Sequence, residues 1–507
     1  MNDVVIVGGG HNGLIAACYL AKAGKKVTIL EAQDQLGGAT VSQRVFPDYD
    51  AKLSRYSYLV ALLPDRIRND LGLTFTTLGR EVASFTPVHR EGEDLGLLIT
   101  SGMSTQTEED FRAITGSDAE LSAWKNFYKD VQKVADVMAP TLLQPLPTRS
   151  ELRAKIGDRI WSDIVERPLG ETLDARFTDD LIKGIVLTDG LIGTFADAYS
   201  LQSNICFLYH LIGNGSGEWK VPQGGMGGLV RELTELAQSL GVTMERSREV
   251  VRLEATQTGY EAICADDSRY EATYILANCA PQVLAKLMGT TPPSSLDGSQ
   301  MKINMLLTKL PRLKSGVDPR LAFAGTFHFD ESYSQFEAAY RQATAGEIPD
   351  LIPAEMYCHT LTDTSILSSE LVEKGYQTLT LFALHTPASL FDNDAEEVKA
   401  EIVRRLLAQL NRYILDPIEE CLAVAADGSL CIEAKSPLDL EADISLPRGN
   451  IFHKDLSMPF REDGTPESWG VETSHPNIFI CGAGAIRGGG VSGIPGHNAA
   501  QAILARG

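Results

Sequence analysis

Residues 4–13 read Val-Val-Ile-Val-Gly-Gly-Gly-His-Asn-Gly, and they confine the fold more than any other stretch of the chain. A β-branched run leads into Gly8-x-Gly10-x-x-Gly13, and Leu14–Leu20 continues with the apolar pattern of a helix packed on a sheet. A second run, Lys26–Leu30, ends in Glu31, eighteen residues beyond Gly13. Together these form the strand–turn–helix–strand unit that suits a dinucleotide. Gly8 permits the tight turn, Gly10 lets backbone N–H groups approach a pyrophosphate, and Gly13 lets the helix sit close to the sheet. The phosphates then meet the positive end of the helix. His11 and Asn12 lie in that turn, and Glu31 is placed to accept hydrogen bonds from ribose hydroxyls.

The residues after Glu31 favour FAD over NAD. Glu31-x5-Gly37-Gly38 is the continuation found in FAD-binding oxidoreductases, where small residues let the chain turn beneath an extended cofactor. Ala32, Gly38, Ala39 and Thr40 join the expected cofactor contacts on this ground. A second glycine-rich set closes the chain. The apolar run Asn477–Ile480 is followed by Cys481-Gly482-Ala483-Gly484-Ala485, then Gly488-Gly489-Gly490 and Gly493-Ile494-Pro495-Gly496, with a helix-forming tail. Gly484, Gly493 and Ile494 are expected at the cofactor from this end.

With both ends in view, the chain resembles the phytoene desaturase-like (carotenoid and retinoid) branch of the flavin amine oxidase superfamily. The specific matches are Gly-Gly-Gly-His-Asn-Gly-Leu at the start and Gly-Gly-Gly-x-x-Gly-x-Pro-Gly-x-Asn-Ala at the end. Leu53–Leu59, Phe85-Thr86-Pro87, Met301–Asn304 and Gly449–His453 spread the likeness over nearly the whole chain. The resemblance implies an α/β fold: a discontinuous Rossmann-like FAD-binding domain of the glutathione reductase/amine oxidase type, with an α+β substrate domain inserted. It implies that the backbone of Val250 faces the adenine ring. It also implies that Lys302 is catalytic, holding a water against flavin N5, where a cation stabilises developing negative charge. One departure weakens any transfer of amine oxidase specificity. Many members carry an acidic residue directly after the last Gly-Ala turn, whereas this chain has Ala485-Ile486-Arg487. Arg487 is expected either to offset pyrophosphate charge or to lie at the surface, and His453 to cap a strand.

Both glycine-rich ends serve one cofactor, so the FAD-binding domain is expected from residues 1–75, 216–290 and 441–507, and the substrate domain from 76–215 and 291–440. Helices are predicted over 120–137, 152–165, 229–240 and 395–410, and strands over 301–308 and 378–385. Tyr56 within Ser54–Tyr58, together with His210 and Trp219, is expected to border the substrate.

Composition narrows the partners. A formal charge of −22 repels a phosphate backbone, which excludes a nucleic-acid partner and argues against electrostatic binding to anionic lipid. An apolar patch in peripheral contact with a membrane is compatible with it. No apolar run approaches the length of a membrane span, and a cofactor strand starting at residue 4 leaves no room for a leader, so a cytoplasmic protein is expected. The eight cysteines show neither Cys-x-x-Cys nor metal-ligand spacing, which argues for buried reduced thiols and against a redox dithiol or a metal site. The expected activity is FAD-dependent dehydrogenation or oxidation of an apolar small molecule (polyene, terpenoid or lipid-like) by hydride transfer to flavin N5. A flavin amine oxidase, a flavin-dependent isomerase and a non-catalytic flavoprotein regulator stand as alternatives.

Overall fold

Val4–Val7 are fully packed on both faces, as a central parallel strand requires. The computed structural model describes residues 2–60, 62–212 and 220–506, and places the strand Asn2–Val7 between Val27–Leu30 and Arg269–Ala277, both parallel to it. Thr243–Glu245 extends one side in parallel. On the other, Tyr260–Cys264 and Val250–Ala255 add antiparallel strands, and Ile478–Ile480 pairs in parallel with the end of Arg269–Ala277. The result is one seven-stranded sheet drawn from the beginning, middle and end of the chain.

The helices His11–Lys22, Gly227–Ser239 and Ile494–Leu504 pack together against this sheet. The first and last lie in backbone contact: a Cβ at Gly496 would fall 2.2 Å from the Asn12 carbonyl oxygen. The two glycine-rich ends therefore meet.

A second seven-stranded sheet runs in the order Ile432–Lys435, Met301–Leu307, Gln377–Ala383, Ala354–Tyr357, Thr326–Phe329, Val82–Arg90, Glu93–Thr100. Its neighbours are antiparallel except Thr326–Phe329 beside Val82–Arg90. Alternation along each strand sorts the side chains. Met301, Ile303, Met305, Phe327, Met356 and Leu381 pack with Ile402, Leu406 and Leu410 of the helix Ala395–Leu410 in one core. The other face carries Lys302, Asn304, Phe382, Thr380, Glu355 and Tyr357, and this is the face that meets the site.

Helices between Thr105 and Ile212 form the third part. The predicted 120–137 helix is present as Ala119–Met138. The helix expected over 152–165 is interrupted. Gly157 adopts φ +94°, so Arg149–Ile156 stops there, Asp158–Trp161 starts afresh, and Ser162–Glu166 closes as a π turn. Glycine alone enters that conformation without a Cβ penalty. The cysteines are free thiols, seven buried and Cys279 partly so. Among the described residues, no helix is long and apolar enough to cross a membrane.

Candidate active site

The glycine turn is held from three directions. Gly8 has φ +99°, and Asn278 Nδ2 donates to its carbonyl at 3.1 Å. The Gly9 N–H donates to Glu31 Oε2 at 2.6 Å, and the Gly37 N–H to the Gly9 carbonyl at 2.9 Å. A Cβ on Gly13 would stand 2.6 Å from the Gly8 oxygen and 2.9 Å from Asn278 Nδ2, so the helix approaches this closely only with glycine there. The helix His11–Lys22 has no capping side chain and no acidic residue in its first turn. Its N-terminal N–H groups are left for a ligand, and an anion suits them.

A cavity of about 410 Å³ opens at this turn and runs to the second sheet. Gly8, Gly10, His11, Asn12, Glu31, Ala32, Gly38, Ala39 and Val250 line its near end, and Tyr56, His210 and Lys302 also reach its wall. The other sequence-predicted residues stand behind the wall or elsewhere. Gly13 supports the turn, and Thr40 is fully buried with its hydroxyl 3.0 Å from His11 Nδ1. Gly484 packs on Pro281 and His453; Gly493, at φ +69°, packs on Ile15 and Leu63 as Ile494 begins the last helix. The C-terminal share of the wall comes instead from Ala483, Gly490 and Val491. Trp219 lies outside the described residues.

Among the described residues, His11 Nε2, Asn12 Oδ1 and His453 Nδ1 at the near end are buried polar atoms without a hydrogen-bond partner. Burial pushes both imidazoles down to about 4, with mutual repulsion adding to the effect on His11, so both are neutral at physiological pH. An uncapped helix end, orphaned polar atoms and a backbone cradle that tolerates no extra Cβ together fit the dinucleotide part of FAD. Glu31 already accepts from Gly9 and from the Gln33 N–H, at 2.9 Å, which fixes its carboxylate in the wall.

At the far end Lys302, 3% exposed, donates to the carbonyls of Ser54 and Ser57 at 2.6 and 3.1 Å. Its Nζ sits 5.3 Å above the Phe382 ring. Burial lowers its amine to about 7, against the opposing pull of Glu433. Glu355 and Tyr357 lie beside Phe382, with the tyrosine hydroxyl donating to Glu355 Oε1 at 2.7 Å. Tyr58 packs on Tyr357 with ring centroids 4.5 Å apart and planes tilted by 36°, and is hydrogen-bonded by Arg80. Leu59, Leu62, Ile192 and Ile451 supply apolar wall.

Several expectations change at this level. Arg487 is neither at the surface nor in the cavity wall: it is 1% exposed and donates to the carbonyls of Thr141 and Trp469 at 2.6 and 3.0 Å. It clamps the helical part to the C-terminal segment. His453 faces the cavity at φ +65° and caps no strand. Tyr56 lines the cavity while its hydroxyl is committed to Asp443 at 3.0 Å. Asn278, Glu355 and Tyr357 escaped the sequence reading. Only Asn278 carried a local signal, standing at the end of an apolar strand just before Cys279-Ala280-Pro281.

A family model described as flavin containing amine oxidoreductase matches residues 13–421. An uncharacterised protein of Mycobacterium tuberculosis is 43% identical, covering 99% of this chain and 97% of its own length. The pyridine nucleotide-disulfide oxidoreductase domain-containing protein 2 of Mus musculus is 27% identical over 99% of this chain and 93% of its own. A carotenoid 3,4-desaturase of Haloarcula japonica is 25% identical over 55% and 56% of the two chains. Among solved structures, a putrescine oxidase with redesigned cofactor binding superposes with a TM-score of 0.61 at 20% identity, covering 100% of this chain and 99% of that one. That last likeness establishes the fold.

Proposed function

The chain belongs to the flavin containing amine oxidoreductase family and is an FAD-dependent oxidoreductase, and from that premise we propose that it dehydrogenates or oxidises an apolar small molecule of polyene, terpenoid or lipid-like type. The observation that carries this reading is a single cavity, continuous from the glycine turn to Lys302, Phe382 and Glu355, whose far walls are largely aliphatic and aromatic. Gly8, Gly10, His11, Asn12, Glu31, Gly38, Ala39 and the backbone of Val250 would hold the cofactor, and Gly13 the turn around it. Bound there, FAD supplies a hydride acceptor at N5.

The protein's own contribution is orientation and charge. Phe382, Tyr58 and Tyr357 form an aromatic end wall. Lys302, with two N–H groups spent on Ser54 and Ser57, keeps its third donor for a water, and lends positive charge where negative charge develops. A carotenoid-acting relative supports an apolar substrate. Oxidation of an amine is the second reading, and the buried Lys302 expected from amine oxidases favours it.

Anaerobic titration of the holoprotein with terpenoids, polyenes and a panel of amines separates the two. Bleaching of the flavin by the hydrocarbon-rich compounds, with amines inert, is the expected result. Bleaching by amines alone, with peroxide released on readmission of air, would replace it with the second reading.

A further inference from the structure

The face of the second sheet that meets the cavity carries more chemistry than Lys302. Strand register aligns Lys302 with Phe382, Phe382 with Glu355, and Glu355 with His328, so four side chains project in one row across four strands. Lys302, Phe382 and Glu355 line the cavity. Glu355 is 3% exposed, and only its Oε1 is engaged, by the Tyr357 hydroxyl. Oε2 has no hydrogen-bond partner among the described residues.

Among the described residues no cation is hydrogen-bonded to Glu355; the His328 imidazole opposes its protonation from behind, and burial with the carboxyls there outweighs that pull. Glu331 and His328 pair with each other at 2.7 Å behind it, and Asp189 adds a further carboxyl on that side. Across Phe382, Lys302 is committed to the Ser54 and Ser57 carbonyls, and Arg80 lies over the Tyr357 ring at 5.4 Å, hydrogen-bonded to Tyr58. An ionised, unpaired carboxylate is costly in such a place, and the group protonates instead. Burial first, then Glu331, raise the Glu355 carboxyl to about 8. A neutral carboxylic acid has one O–H donor. With Oε1 accepting from Tyr357, that donor belongs on Oε2.

We propose that Glu355 is the polar anchor of the substrate cavity, donating its carboxylic O–H to a carbonyl or hydroxyl oxygen at one end of an otherwise apolar ligand. This rests on the apolar-substrate reading above and narrows it. A plain hydrocarbon would leave the donor unpaired, and an ammonium group would meet a neutral acid with Lys302 nearby. A site built to hydrogen-bond an oxygen discriminates strongly against ligands that lack one.

The test titrates decanal, 1-decanol and decylamine into the holoprotein and reads the perturbation of the bound flavin's visible absorption, in wild type, Glu355→Leu and Glu355→Gln. Decanal and 1-decanol are expected to bind wild type more tightly than decylamine. Glu355→Leu should weaken both by about tenfold or more, whereas Glu355→Gln, which retains an N–H donor, should stay within about threefold. Wild-type affinity for decanal should fall as pH rises through about 8, where the donor is lost, and Glu355→Gln should be flat. Tighter binding of decylamine, or affinity for decanal that rises with pH, overturns the proposal. Equal affinities in wild type and Glu355→Leu overturn the role of Glu355 and leave the apolar-substrate reading standing. Silence of all three compounds in wild type overturns that reading and the anchor with it. Should Glu355→Leu fail to fold, the pH profile of Glu355→Gln against wild type decides.

Discussion

The Lys302 side-chain nitrogen lies 2.6 Å from the Ser54 carbonyl oxygen, so the second sheet is tied to the segment that follows the N-terminal glycine turn. A carbonyl only accepts, and a lysine donates whether charged or neutral, so this tie survives titration. The charge does not survive it: with the amine lowered to about 7, the cation is present below that pH and lost above it.

Lys302→Met is therefore expected to retain FAD while slowing flavin reduction or reoxidation by about tenfold or more. In wild type, the step that uses the cation slows as pH rises through about 7, and in the variant the same step is flat. Stopped-flow absorbance of each half-reaction checks both points. Unchanged rates in both half-reactions would remove Lys302 from the chemistry.

Gly13→Ala places a Cβ 2.6 Å from the Gly8 carbonyl oxygen, with backbone on both sides of the conflict. The helix must withdraw from the turn. A loss of about 1–3 kcal/mol in stability is expected, with protein purified largely free of flavin. The ratio of visible to ultraviolet absorbance and a thermal melt measure the two effects.

Glu355 makes stability depend on pH in a definite direction. Its carboxyl is raised in the folded protein, so its contribution is complete below about 4.5 and is lost as pH rises through about 8. Glu355→Gln has nothing to ionise. The variant should gain on wild type between those limits, by up to roughly 4 kcal/mol. Urea unfolding of both proteins at pH 5 and pH 9 reads the difference, and a gap that narrows with pH would contradict it.

Arg487→Met removes the two hydrogen bonds to Thr141 and Trp469 from a fully buried position. Burial already holds the guanidinium down to about 10, a sign of its dry surroundings. Two carbonyls lose their donor, and a destabilisation of about 2–4 kcal/mol is expected. Because Arg487 does not line the cavity, the spectrum of bound flavin should not move.

The glycine turn was legible because its geometry permits so few residues: Gly13 is dictated by a carbonyl oxygen and Gly8 by a positive φ. Glu31 was legible for the same reason, as the end of a strand at fixed distance. The far end of the cavity was not. Glu355 belongs to the four-residue strand Ala354–Tyr357, too short to display its alternation. Its importance comes from register with Phe382 and Lys302, which lie on strands remote in sequence. Arg487 misled because a lone arginine after glycines says nothing about the carbonyls that other segments bring to it. The broken helix at Gly157 shows the converse, a local signal present but outweighed in the reading by the apolar residues on either side.

The contact between Gly496 and the Asn12 carbonyl has a consequence for biosynthesis. As the polypeptide leaves the ribosome, its opening helix has one flank bare until residues 494–504 have been made. A nascent chain stalled before that point exposes an apolar surface that invites aggregation or chaperone capture.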